Sequence, residues 1–370
     1  MRLSFLRRTR TIHLLLVLAL VGILLAAGIF ALLTTLHRVT PKTLNANINA
    51  TQVYYGVHVP GQPSSLTQLE SFERDVNKPV SIVMWYQGWG VSDSSRYFQP
   101  AWMDNVRNHG AIPMVTWEPW NYTRGVNQPE YSLQSIISGQ FDDYITQWAL
   151  ASKAWGHAYF LRFAEEMNGN WFSWSEQVNG NGPGQYVQAW QHVHDIFTRL
   201  GVTNVTWVWS PNVEYGGSTP LAELYPGSDY VDWLGMDGYN WSTIGGHHWQ
   251  SFSQVFQQTY LDILRMNLNK PLMIAETASA GTGASKAAWI TDAFNVQIPR
   301  YFPAIKAVIW FDEKKETDWR VESSPASQKA FTQAIASSIY ASNQFAHQSS
   351  LTIRTLSRIT QKTPPHRATK

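Results

Sequence analysis

Between residues 53 and 311, eight short apolar runs recur at near-regular intervals, with helical periodicity between them. The runs are 53–58 (VYYGVH), 80–86 (VSIVMWY), 112–117 (IPMVTW), 158–164 (AYFLRFA), 205–210 (VTWVWS), 231–237 (VDWLGMD), 271–276 (PLMIAE) and 306–311 (KAVIWF). Near-continuous apolar character over six or seven residues fits parallel strands buried on both faces. The clearest helical patterns lie at 140–155, 184–200, 251–266, 284–297 and 325–341, the last with Pro325 suited to a first helical turn. Strand alternating with helix predicts a parallel sheet, and eight such units predict an α/β fold closed as a (β/α)8 TIM barrel over residues 52–342. An open doubly wound sheet is the rival. No Gly-rich phosphate loop follows the first strand, and GTGASK at 281–286 lacks the required spacing and sits after the seventh.

A TIM barrel presents its chemistry at the C-terminal ends of its strands. Here the first strand delivers His58, the second Trp85 and Tyr86, and the third Trp117 and Glu118. The fourth gives Glu165, Glu166 and Asn168, the fifth Trp209 and Asn212, and the sixth Asp237, Tyr239 and Trp241. The seventh ends in Glu276 and the eighth in Trp310 and Asp312. Carboxylates and aromatics dominate this rim. Glycoside hydrolysis needs two carboxyl groups astride the scissile bond, one protonated and one ionised. The fourth and seventh strands oppose each other in an eight-stranded barrel, so their acids can face across the mouth. The blander reading of any one of these acids is an ion pair at the rim. No metal site is expected: no His pair has zinc-ligand spacing, and His247-His248 reads as a solvated loop.

The chain carries 18 Trp, 16 Tyr and 16 Phe and no Cys. Part of this aromatic load must be core, and part suits a sugar cleft, where flat rings lie against pyranose C–H faces. The absence of cysteine excludes disulfides, thiol nucleophiles and Cys-based metal sites. Of 28 basic residues, six lie in 1–50 and five in 343–370, and neither stretch holds an acid. The middle therefore sets 17 basic against 26 acidic residues, which argues against nucleic acid and suits a neutral polysaccharide. Residues 14–33 are an unbroken apolar run of bilayer length preceded by Arg2, Arg7, Arg8 and Arg10. The expectation is a cytoplasmic segment at 1–13, a single membrane-spanning helix at 14–33, a linker at 34–51 and an extracytoplasmic catalytic domain. A cleaved signal peptide, giving a secreted protein, is the alternative. The Ser/Thr/Gln-rich, basic segment 343–370 reads as a disordered tail, and the protein as a monomer.

The stretch LRFAEEMNGNWFSW at 161–174 resembles the acid/base motif of glycoside hydrolase family 26, a β-mannanase-containing family of retaining barrels. MVTWEPW at 114–120, MDGYNW at 236–241, IAETAS at 274–279 and WFDEKKETDWR at 310–320 extend the likeness across 53–340. The resemblance implies Glu166 as proton donor, since it directly precedes Met167-Asn168-Gly169, and Glu276 as nucleophile. It implies that Tyr239 hydrogen-bonds the nucleophile and that Trp171 and Trp310 line the subsites nearest cleavage. Trp117, Asn168, Trp85, His58 and Glu165 complete the substrate-binding expectation, with no cofactor. The pattern is broken at Glu165, where the family usually has His. A second acid there either raises the Glu166 pKa further or turns toward Arg162.

The implied mechanism is double displacement, with carboxyls roughly 5–5.5 Å apart. The implied substrate is β-1,4-mannan, with β-1,3-1,4-glucan and β-1,3-xylan as alternatives. Two other classes stand beside it. A catalytically silent glycan-binding barrel would keep the aromatic rim, and a plain scaffold would show an ordinary polar one.

Overall fold

The structure is a computed structural model that describes residues 52–357, apart from 62, 91–93, 267 and 283–284. The expected cytoplasmic segment, membrane helix and linker lie outside the described residues, as does 358–370. No helix among the described residues is long and apolar enough to cross a membrane.

The strands are β1 (Val53–His58), β2 (Ile82–Gly88), β3 (Ile112–Glu118), β4 (Tyr159–Phe163), β5 (Val205–Trp209), β6 (Trp233–Leu234), β7 (Asp237–Asn240), β8 (Leu272–Ser279), β9 (Ile305–Phe311) and β10 (Tyr340–Ala341). They pair in parallel in the order β1-β2-β3-β4-β5-β6-β8, and β9 closes the ring by pairing with both β8 and β1. β6 and β7 together make the sixth barrel strand, so the single run expected at 231–237 is two short pieces with Gly235-Met236 between them. The eight-stranded parallel barrel is as expected.

Helices α1 (Thr67–Val76), α2 (Pro100–His109), α3 (Leu133–Ile137), α4 (Asp142–Trp155), α5 (Gln185–Arg199), α6 (Phe252–Arg265), α7 (Lys286–Asp292) and α8 (Pro325–Ile335) cover the barrel. Ser251 and Ser324 cap α6 and α8 through reciprocal capping boxes, and Pro325 opens α8. The expected helix at 284–297 is α7 followed by π-type turns from Ala293 to Tyr301, a stretch that contains Pro299, which has no N–H to donate. The expected helix at 325–341 stops at Ile335. Residues 340–341 form β10, which pairs with β1.

Strand alternation splits the core in two. Tyr54, Ile82, Met84, Ile112, Met114, Phe160, Val208, Trp233, Met273, Ala275, Ala307 and Ile309 fill the barrel interior. The alternate residues, including Val83, Trp85, Val115, Trp117, Leu161, Phe163, Val308 and Trp310, face the helices.

The tail expectation is corrected for residues 343–357. Ile353 is buried among the interior residues at the N-terminal end of the barrel. Its N–H donates to Thr206 Oγ1 (3.0 Å), and its carbonyl accepts from Trp233 Nε1 (2.9 Å). Tyr54 Oη donates to the Arg354 carbonyl (2.7 Å), and the Phe345 N–H donates to the Gly110 carbonyl (2.8 Å). Gly110 has φ 96°, and a Cβ there would lie 2.3 Å from the Asn343 carbonyl oxygen, so only glycine admits the segment. Three well-separated apolar residues, Phe345, Ile353 and Leu356, hold a stretch whose composition is otherwise polar.

Candidate active site

The mouth of the barrel is built on one buried cation. Arg162 points inward from the penultimate position of β4 and is fully buried. Its Nε donates to Thr116 Oγ1 (2.9 Å) and its Nη1 to Asp237 Oδ2 (2.8 Å). Its Nη2 donates to Glu276 Oε1. Each side of the guanidinium is committed, which fixes its plane across the barrel.

Glu276 reaches this cation because β8 is irregular. Ile274 pairs with Val308 and Thr277 with Trp310, so Ala275 and Glu276 together oppose the single residue Ile309. Strict alternation from the inward Met273 would turn Glu276 toward the helices. The extra residue re-aims it into the mouth, as bulges next to active sites do. There Tyr239 Oη donates to Glu276 Oε2 at 2.5 Å, and Tyr86 adds a further hydrogen bond. Burial pushes the Glu276 carboxyl up, but Arg162, Tyr239 and Tyr86 outweigh burial and hold it below the ordinary range. Glu276 is ionised.

Glu166 lies in the opposite state. Its backbone is in the left-handed region (φ 52°), as is that of Ala164 (φ 48°), so the chain kinks sharply on leaving β4. The Glu166 N–H is tied to the Ser210 carbonyl beyond β5 (2.8 Å). Its carboxylate accepts from Asn212 Nδ2 (2.9 Å) and Trp171 Nε1 (2.6 Å). Burial and the charge of Glu276 nevertheless raise its pKa to about 7. At neutral pH and below it can hold a proton that Glu276 cannot.

Asn168 and His58 support this arrangement from behind. Asn168 is fully buried; its amide donates to the Asn212 carbonyl (2.9 Å) and accepts from the Asn212 N–H (2.9 Å), which aims Asn212 at Glu166. His58 is buried with Nδ1 at 3.2 Å from the Met84 carbonyl and Nε2 at 3.2 Å from Glu313, stacked on Phe311. Trp171 and Tyr239 are the expected site residues left partly accessible at the mouth. Trp171 sits beside Tyr215 with ring centroids 5.6 Å apart, and Gly169 makes room for it: a Cβ there would lie 2.5 Å from the indole. His247 stacks on Trp241 at 5.4 Å.

Three aromatic expectations are corrected. Trp85, Trp117 and Trp310 are 2%, 0% and 0% exposed and face the helices. Trp117 packs on Trp148 at 4.8 Å and donates to Tyr144 Oη, and Trp310 donates to the Trp319 carbonyl. They are core, placed there by odd-even alternation that strand-end position alone does not reveal. Asn168 is likewise a brace with no surface to offer a sugar. The sequence placed Tyr86 and Asn212 at strand ends without a role and gave Arg162 only as a partner for Glu165. The signal for Arg162 was available: a lone charge in a buried strand needs buried counter-charges.

Two carboxyls held in opposite protonation states at the mouth of a closed parallel barrel are what cleavage of a glycosidic bond requires. The chain belongs to glycosyl hydrolase family 26, whose family model matches residues 63–322. It is 40% identical over 287 residues to Endoglucanase H of Acetivibrio thermocellus, a match covering 76% of this chain and 30% of that protein. It is 24% identical over 221 residues to a mannan endo-1,4-beta-mannosidase of Bacillus subtilis, covering 53% of this chain and 56% of that one. The chain thus spans less than two thirds of either relative. The fold matches the catalytic domain of an endo-β-1,4-mannanase of this family from Bacillus sp. JAMB-750, with TM-score 0.62, 18% identity and coverage of 82% and 91%.

Proposed function

We propose that this protein is an endo-acting, retaining β-glycoside hydrolase working by double displacement. One observation carries the reading: Arg162, Tyr239 and Tyr86 keep Glu276 ionised while burial and repulsion keep Glu166 a proton donor. Glu276 attacks the anomeric carbon as Glu166 protonates the departing oxygen. The glycosidic C–O bond breaks and a covalent glycosyl–enzyme ester forms. Glu166 then takes a proton from water, whose oxygen attacks the same carbon and releases Glu276. Two inversions retain the anomeric configuration. Trp171 and Tyr215 offer an aromatic wall for a sugar ring next to the acid.

The first substrate is β-1,4-mannan, on the strength of the mannanase relatives and the family. A β-glucan is the second reading, favoured by the 40% identity to a protein named as an endoglucanase. Reducing-sugar release from mannan, glucomannan, barley β-glucan, curdlan and β-1,3-xylan separates them, and proton NMR of the first product reads retention. An initial product of inverted configuration sinks the mechanism, and release from none of the five sinks the function. The 14–33 run and its four preceding arginines support anchoring with the barrel outside the cell. Recovery of the full chain in the soluble fraction would overturn that placement.

A further inference from the structure

Two further acids sit at the mouth and take no part in the steps above. Glu118 ends β3 and Glu165 follows β4; they are 5% and 1% exposed. Their carboxyls lie within hydrogen-bond reach of each other. Neither side-chain oxygen of Glu165 has a hydrogen-bond partner among N–H and O–H donors. The raised pKa of Glu166 comes from burial and Glu276.

The charges facing the pair come from several elements. Arg162 on β4 attracts both acids, and Glu276 on β8 repels both. Tyr86 on β2 and Tyr186 on α5 are neutral phenols beside Glu165. Asp237 on β7 and Glu276 already hold Arg162, and Lys315 approaches Glu276 from the outer loop. Five buried carboxyls, counting Glu166, therefore share one buried guanidinium whose three nitrogens already donate to Thr116, Asp237 and Glu276. Two carboxyls in contact with no cation of their own cannot both ionise, and burial favours the form in which each keeps its proton and the pair is uncharged.

We propose that Glu118 and Glu165 form a protonated carboxyl pair, positioning residues that leave Arg162 to Glu276 and so keep the nucleophile ionised. The pair is an uncharged spacer. Were it ionised, it would compete for the guanidinium and add negative charge beside Glu276. Burial agrees with this state: with the charge of Glu276 it raises Glu118 to about 7 against the lowering hydrogen bonds of Trp120 and Glu165, and with the charge of Glu118 it raises Glu165 well above the ordinary range. The inference rests on Glu276 being the nucleophile.

The test compares Glu165→Gln with Glu118→Gln by the pH dependence of kcat/KM, on whichever glycan the wild type cleaves. In Glu165→Gln the amide donates to Glu118 and favours its ionised form. The added charge raises the Glu276 pKa, so the acid limb moves up by about one pH unit. In Glu118→Gln burial, the largest cause of the raised Glu165 pKa, keeps Glu165 protonated against the same amide, and the limb stays or falls. Equal shifts in both variants, or none in either, overturn the proposal. Carbon-13 NMR of the glutamate carboxyls, in wild type and Glu118→Gln, decides it without activity and without the other variant. Glu165 stays protonated up to neutral pH if the pair exists; titration at about 4.3, the ordinary value, overturns it. If no glycan is cleaved, the functional reading fails while the NMR result still judges the pair.

Discussion

The two ends of this barrel are made by the same strands and obey different rules. At the N-terminal end, Tyr54, Ile82, Ile112, Phe160 and Trp233 close around Ile353, and the polar groups there are paired: Tyr54 Oη with Arg354, Trp233 Nε1 and the Ile353 N–H with their own partners. At the C-terminal end, five buried carboxyls crowd one guanidinium, Glu165 lacks a donor, and Ala164 and Glu166 hold left-handed backbone. The bottom is optimised for burial. The mouth stores repulsion and strain that the closed ring beneath it over-determines. Stability and chemistry have been separated along the strand axis, as barrel enzymes generally do.

The largest expected effect lies at the mouth. Glu276→Ala should lower kcat by at least about 10⁴-fold, because no covalent intermediate can form. Melting temperature should hold or rise, since a crowded acid has gone. A variant that turns over near the wild-type rate would end the assignment. Arg162→Met is next and breaks the division of labour. It leaves Asp237 and Glu276 buried without their cation, costing about 3–5 kcal/mol in denaturant unfolding as well as activity. A loss confined to activity would mean the mouth carries no structural role.

Much of this was legible in the sequence, and the reasons are local. Runs such as PLMIAE announce buried parallel strands by composition, and acids ending two opposed strands announce the site. Side-chain direction was not legible. Trp117 and Trp310 stand at or beside the end of their apolar runs as Glu276 does, yet they face the helices, and nothing in a single sequence reports parity or the bulge that turns Glu276 inward. The bottom was missed for another reason. Ile353 is one apolar residue in a polar, basic stretch, and its burial depends on a hole formed by residues up to 300 positions away.

Ile353→Ala tests the bottom alone and ranks third. Removing a buried side chain from a ring that cannot collapse should cost about 2–5 kcal/mol in unfolding, with kcat unchanged at a temperature where the variant is folded. A fall in kcat without loss of stability would show the two ends to be coupled.

The smallest effect sharpens the mouth itself. Trp171 Nε1 donates to Glu166, and a hydrogen bond to the charged form lowers a carboxyl pKa. Trp171→Phe keeps an aromatic ring and removes the donor. The folded-state pKa of Glu166, already about 7, should then rise. Glu166 must be protonated to act, and that proton is lost as pH climbs through its pKa. The basic limb of kcat/KM should therefore move to higher pH, by about one unit, the worth of one hydrogen bond to a charge. The acid limb, set by Glu276, should stay. Movement of the acid limb instead would reverse the two glutamates' roles, and a fixed basic limb would mean that another group supplies the proton.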